Sequence, residues 1–380
     1  MPAFIALVVL IVFYLFTVPV AARRDGDFVH LWVGGRALIE GGAAGLYDPA
    51  LHQQLLQEAL PGGLTEALWA PRNAQLGAFF YPPPAGLLYA PLGALPLRTA
   101  AAVHGGLVIG AAALAAWELA RLGRREGGLG TVGAGALIGA MPSFFFSFVL
   151  GQNGVFTLLV ILAGLGLLLR GRPGLGGLVW GLLVAKPSWA LALAPLPLFL
   201  FDRRAAAWAW GGMALGGGLG AAASLALGIG PWLRFFELVP QLAALDWLPG
   251  YPLDLQFNLW SLPRRVFGVG GLADGLGALL CGVAVLAGLW AARGRSRLRA
   301  LALGLCVATA VNPHVHHYDM MPPLLGLVLV VGGGGRGAWA LLAFHHLAPM
   351  VGGWLGVPLA ALSPLLVGAA LARGPKAASE

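Results

Sequence analysis

Long apolar stretches recur from one end of this chain to the other, interrupted by short basic clusters such as Arg121/Arg124/Arg125, Arg203/Arg204 and Arg293/Arg295/Arg297/Arg299. A helix that crosses a bilayer needs about 20 predominantly apolar residues, because in lipid its backbone must satisfy its own hydrogen bonds. At that length the 380 residues hold about a dozen helices with modest loops. Only 10% of residues are charged, against about 25% in soluble chains. This excludes a cytosolic enzyme, a disordered chain and a nucleic-acid-binding module, despite a net charge of +8. The expected fold class is an all-α polytopic membrane protein, with residues 1–380 forming one transmembrane domain and no separate soluble domain.

Spans are expected near 2–22, 99–120, 129–150, 154–170, 173–187, 188–201, 206–228, 270–292, 299–312, 319–332, 337–352 and 354–372, about twelve in all. The first lacks the basic flank of a signal peptide and reads as an uncleaved span. Basic clusters mark the cytoplasmic returns. Most of the 15 acidic residues then fall on the other side, as do two longer outer loops, 23–98 and 229–268. The first loop contains Phe28, Leu31, Trp32, Leu38 and Ile39 on one helical face, the pattern of an interfacial helix lying along the membrane surface. The second is rich in Trp and Pro (Trp232, Trp247, Pro249, Pro252, Trp260, Pro263), which suits the headgroup zone or a sugar-stacking surface. The 59 glycines suit close helix packing, and none of the glycine runs follows a strand as a phosphate loop would. Cys281 and Cys306 lie in apolar runs and read as lipid-buried thiols.

The polar residues that chemistry needs collect on the outer side. Asp27, in Asp25-Gly26-Asp27-Phe28-Val29-His30, is the leading carboxylate. It can cap the helix that follows or act as a base. Asp25 beside it makes a D-x-D spacing able to share a divalent cation, although solvation of a loop accounts for such an acid more often than metal binding does. Lys186, before Pro187, is placed to snorkel or to pair with the phosphate of a lipid carrier. Gly151-Gln152-Asn153-Gly154 reads as a tight turn whose amides can also bind sugar hydroxyls. Asn312-Pro313-His314-Val315-His316-His317-Tyr318-Asp319 is the densest polar cluster. Its spacing does not fit zinc, while a histidine that orients or protonates a phosphate oxygen fits well. His345-His346 reads as packing inside a late helix. No charge falls in the middle of an expected span, which argues for chemistry at the outer surface rather than ion-coupled transport.

In order along the chain come Asp27-Phe28, Gly42 to Asp48 (Gly-x-x-x-Leu-Tyr-Asp), Tyr81-Pro82-Pro83, Gly151-Gln152-Asn153, Lys186-Pro187 and Pro313 to Asp319. This series resembles glycosyltransferase family 87, membrane enzymes of the GT-C fold that use polyprenyl-phosphate sugars. The resemblance implies an inverting transfer of a hexose such as mannose to an outward-facing lipid or glycan, in the bacterial inner membrane with the site facing the periplasm. It implies Asp27 as general base and a late-loop histidine near the donor phosphate, without saying which of His314, His316 and His317. Lys186, His316, His317, Arg264 and Arg265 are the expected phosphate-binding residues. His30, Tyr81, Gln152, Asn153, His314, Tyr318 and Asp319 are expected to line the substrates. Some members carry Ser-Pro and a Trp before paired histidines; Asn312-Pro313 stands here without that Trp. No cofactor is expected, with Asp25 and Asp27 as ligands should the transfer use a divalent metal. The alternatives are that metal-dependent transferase, or a flippase for lipid-linked sugars that forms no glycosidic bond.

Overall fold

The computed structural model describes residues 27–60, 77–245, 256–268, 270–334, 336–355 and 359–374. The expected first span at 2–22, Asp25, Trp247, Pro249 and Pro252 lie outside the described residues. Every regular element among those described is helical.

The first loop forms α1 (Phe28–Gly45), α2 (Pro49–Ala59) and α3 (Pro83–Gly93). The Gly42-to-Asp48 motif is structural: the path of α1 breaks at Gly42, and Asp48 caps α2 by accepting from the Ala50 amide at 2.9 Å. Tyr47 donates its hydroxyl to the Tyr81 carbonyl at 2.6 Å, tying this corner to the triple-proline segment. The surface-helix expectation for α1 needs correction. Phe28, Leu31, Trp32 and Leu38 are buried as expected and Ile39 is exposed, yet Val29, Val33, Gly34, Gly35 and Ala37 on the other faces are buried too. The reason is close approach. A methyl group on Gly34 would lie 2.1 Å from the Phe79 ring, and one on Gly35 would lie 2.3 Å from the Tyr89 carbonyl oxygen. The small face that reads as neutral in sequence is where α3 and its leading segment pack.

The rest of the chain forms a bundle. It begins with α4 (Leu97–Gly123), followed by α5 (Thr131–Ala140) and α6 (Pro142–Val149), which meet at 66° because Pro142 forces Met141 into an extended conformation. Then come α7 (Gly154–Leu168), α8 (Pro173–Gly181) and α9 (Pro187–Leu193), with a short 3-10 turn at Leu182–Ala185 and another at Leu196–Leu200. Next are α10 (Arg203–Leu225) and α11 (Gly230–Leu245), the latter turned by 114°. Then follow α12 (Ser261–Phe267), α13 (Gly271–Ala292), α14 (Arg297–Val311), α15 (Leu324–Gly332), α16 (Arg336–Leu355) and α17 (Leu359–Arg373). Among the described residues two helices are long and apolar enough to cross a membrane, Leu97–Glu126 and α13, or four if each bent pair is one span. The expected twelve are not established by this set. The expected stretches at 173–187 and 188–201 meet at the break around Lys186, as the shorter apolar segments Pro173–Ala185 and Pro187–Leu200, and the stretch at 319–332 becomes α-helical only at Leu324, after Pro322-Pro323.

α14 is the central pillar. From Ala300 to Ala310 every residue is buried, the pattern of a helix surrounded by protein. At its start, Ser296 and Arg299 bond to Glu126 below α4, and Arg295 donates to the Ala372 and Gly374 carbonyls at the end of α17. Its far end, roughly 22 Å away at 1.5 Å per residue, delivers the polar late loop. α13, by contrast, exposes Leu272, Leu279, Val283, Leu286 and Trp290 along one side, a face suited to lipid.

α8 packs against α10 at backbone distance. On α10, a methyl group on Gly212 would sit 2.0 Å from the Gly174 carbonyl oxygen, and one on Gly216 would sit 2.2 Å from that of Leu178. Small residues at this four-residue interval let helices approach to backbone contact. Gly216→Leu is therefore expected to destabilise the protein by about 1–3 kcal/mol or more, read as a lower thermal midpoint in detergent. Gly211→Leu, where a methyl group would meet nothing within 4 Å, serves as the neutral control.

Candidate functional site

The site is built where α1 begins. The Phe28 amide donates to the Leu150 carbonyl at 2.8 Å, so α1 starts directly on the turn between α6 and α7. Gly151 holds that turn at φ +69, and a methyl group there would lie 2.3 Å from Phe28 Cβ. Only glycine satisfies both the left-handed conformation and the contact. The turn reading of Gly151-Gln152-Asn153-Gly154 is thus correct, and the two amides it carries have further partners.

Asp27 sits at the cap position of α1, but its side chain makes no cap hydrogen bond. Its Oδ2 instead accepts from Gln152 Nε2 at 2.5 Å. Asn153, the next residue, turns its Oδ1 to Lys186, whose Nζ donates at 2.8 Å. Lys186 Nζ also pairs with Asp319 Oδ1 at 2.5 Å and lies 5.5 Å over the Tyr318 ring. Lys186 reaches this position because the chain breaks between the 3-10 turn and α9, as the residue before a proline must. One continuous chain of contacts therefore joins Asp27, Gln152, Asn153, Lys186 and Asp319, five residues separated by up to 292 positions in sequence but expected on one side. Lys186 does not snorkel. Its side chain is 12% exposed and compensated by an aspartate that is fully buried.

The late loop is fixed from several directions. Asn312 Oδ1 accepts from the His314 amide at 3.0 Å, and Pro313 and Val315 carbonyls accept from Asn258 Nδ2 (3.0 Å) and the Phe257 amide (2.9 Å). Ser143 Oγ donates to the His317 carbonyl, and His345 Nε2 bonds the Met320 carbonyl at 3.1 Å. The Tyr318 carbonyl lies so close to α7 that a methyl group on Gly154 would approach it to 2.0 Å. His345 is thus more than packing: it braces the loop that carries Asp319. His316 stacks edge-on with His314 at 4.5 Å and lies 5.4 Å from the Tyr318 ring.

His316 and His317 are both buried, and the His317 ring lies 3.9 Å from Phe146. Burial pushes its pKa down to about 4, with the negative charges of Asp27 and Asp319 opposing. His30 is likewise lowered by burial, against Asp27 and the Ala78 backbone, and its ring lies 6.0 Å from Phe80. The Tyr81 hydroxyl is pushed up, first by burial and then by Asp27, and stands 3.5 Å from Gln152 Oε1. These mutual influences place His30, Tyr81 and His317 around Asp27. With its pKa lowered by burial, the His317 ring bears on its surroundings through hydrogen bonds rather than charge near neutral pH.

Arg264 and Arg265 sit on α12. Arg264 pairs with Asp274 at 2.7 Å, and Arg265 donates to the Gln256 carbonyl at 3.4 Å. Arg265 thereby reaches the 256–259 segment, which is itself bonded to the late loop. Trp232 and Trp260 are half-buried: Trp232 donates to Ser224 at 2.9 Å, and Trp260 lies against Gly277 of α13. Among the described residues no three His, Cys, Asp or Glu side chains converge as a metal site, and Asp25 lies outside them.

Three contributors escape a sequence reading: Trp189, whose Nε1 donates to Asp319 Oδ1 at 3.2 Å, Ser143 and Asn258. Trp189 alone carried a signal, lying one helical turn after Lys186.

The His317 environment gives a measurable consequence. Between about pH 6.5 and pH 4 the unfolded chain binds a proton there that the folded chain excludes, so stability falls as pH drops through that window. His317→Gln is expected to flatten the decline by ~1.4 kcal/mol per pH unit at most, read from unfolding midpoints in detergent at several pH values.

The sequence model of glycosyltransferase family 87 matches residues 79–313, more than half of the chain. No curated protein and no solved structure matches it. The matched stretch holds Tyr81, Gln152, Asn153, Lys186, Arg264 and Arg265, and ends on either side between these and the residues they meet, Asp27 and Asp319. With so much of the sequence covered, and an all-helical apolar bundle around it, the chain belongs to glycosyltransferase family 87 and is a membrane glycosyltransferase.

Proposed function

We propose that this protein is an inverting GT-C-type enzyme that moves a hexose, such as mannose, from a polyprenyl-phosphate donor to a lipid or glycan acceptor. The site faces the periplasmic side of a bacterial inner membrane, at the end of the bundle opposite the basic clusters. The single observation that carries the reading is that Asp27 and Lys186 meet the two adjacent amides of one turn, Gln152 and Asn153. A carboxylate and a cation are thereby each bonded to one of two adjacent residues.

Asp27 takes the proton of the acceptor hydroxyl as that oxygen attacks the anomeric carbon, on the face opposite the leaving phosphate. This is the geometry of inverting glycoside chemistry with an alcohol in place of water. The leaving polyprenyl phosphate is already anionic, so it needs cationic and hydrogen-bonding partners more than an acid or a metal. Lys186 supplies the charge. Two of its three N–H groups are engaged by Asn153 and Asp319, which leaves one for a phosphate oxygen. The buried His317 Nε2, without a hydrogen-bond partner among the described residues, adds a neutral hydrogen-bonding group to that end.

Asp27→Asn is expected to lower turnover by about 10²–10⁴-fold while leaving folding and donor binding intact. The assay is transfer from polyprenyl-phosphate mannose by the purified protein in vesicles, with mass spectrometry of the product. Near-normal transfer by the variant would defeat the assignment, and movement of the donor without a new glycosidic bond would favour a flippase.

Lys186→Met is expected to raise the donor KM by about tenfold or more, the loss of one hydrogen bond to a charged group. Alone, it leaves Asp319 as an uncompensated buried charge. The double variant Lys186→Met/Asp319→Asn should therefore recover folding yield but not donor affinity. An unchanged donor KM in the double variant would remove Lys186 from the phosphate site.

A further inference from the structure

A carboxylate that must accept a proton and an ammonium that must hold a phosphate are poor neighbours. In a pocket shielded from water their natural outcome is a salt bridge, which neutralises both. Here that outcome is avoided. Among the described residues Asp27 forms no ion pair, and its one side-chain hydrogen bond comes from a neutral amide. The charge of Lys186 is taken up by Asp319, which Trp189 holds from the other side.

What stands between the two is the pair Gln152-Asn153. Gln152 is 3% exposed, and its amide has a donating and an accepting end. The accepting end faces the Tyr81 hydroxyl at 3.5 Å, and the donating end faces Asp27. Asn153 presents the opposite polarity to its neighbour, an accepting oxygen to the Lys186 ammonium. The Gly151 turn fixes both, because Phe28 packs against it.

We propose that Gln152 and Asn153 are positioning residues that keep Asp27 and Lys186 apart, Gln152 by occupying the carboxylate oxygen that would otherwise turn toward the ammonium. In this arrangement neither amide serves as the sugar-hydroxyl ligand that its position in a polar turn suggests. A neutral donor orients the carboxylate without adding a full counter-charge, and the ammonium keeps a free N–H for an incoming anion. The proposal rests on the assignment of Lys186 to the donor phosphate and is tested without turnover.

The test is binding of polyprenyl phosphate, the part common to any such sugar donor, to the full-length protein in detergent by native mass spectrometry or fluorescence titration. Gln152→Met, close in shape but without an amide, is expected to weaken binding by about tenfold, because Asp27 is freed to compete for the ammonium. The double variant Gln152→Met/Asp27→Asn is expected to restore wild-type affinity, since the competing charge is gone. A merely structural role for Gln152 predicts no such rescue. Gln152→Leu repeats both arms should the Met variant fold poorly. Wild-type binding with no loss in the Gln152 variants, or a loss that Asp27→Asn does not rescue, overturns the proposal while leaving the donor assignment standing. Absence of saturable binding by the wild-type protein overturns the donor assignment, and this proposal with it.

Discussion

The meeting of Phe28 with the Gly151 turn is the contact on which the site depends. One backbone hydrogen bond, from the Phe28 amide to Leu150, docks the start of α1 on the junction of α6 and α7. The junction accepts it because position 151 has neither a side chain nor a need for one. From that contact the rest follows in short steps: Asp27 is brought to Gln152, Asn153 faces Lys186, and Lys186 draws in Asp319 from the far end of α14.

The polar motifs were legible in sequence because charge is scarce here. In a chain with 10% charged residues, an acid after an apolar run or a lysine before a proline stands out, and the basic clusters give each an expected side. Their pairing was not legible. Nothing in the spacing of Lys186 and Asp319 announces a salt bridge across 133 positions, and the contact that decides it belongs to Asn153 and Trp189. The same limit applies to α1. A pattern of large apolar residues describes one face of a helix well, but Gly34 and Gly35 carry no hydrophobic signal although they admit α3 at backbone distance.

Helix count was the least legible feature. Hydropathy registers composition over a window and is indifferent to proline, so residues 173–201 look like two spans when the chain makes short helices joined by 3-10 turns. The break has a use, since it is at that interruption that the Lys186 side chain leaves the helical path and enters the pocket. Irregular backbone within a membrane protein is tolerated where protein surrounds it.

Because the counter-charge of Lys186 comes from residue 319, a chain emerging from the ribosome carries that lysine for well over a hundred residues of synthesis before its partner exists. Until residue 319 has been made, the ammonium can meet Asn153 but has no carboxylate to pair with.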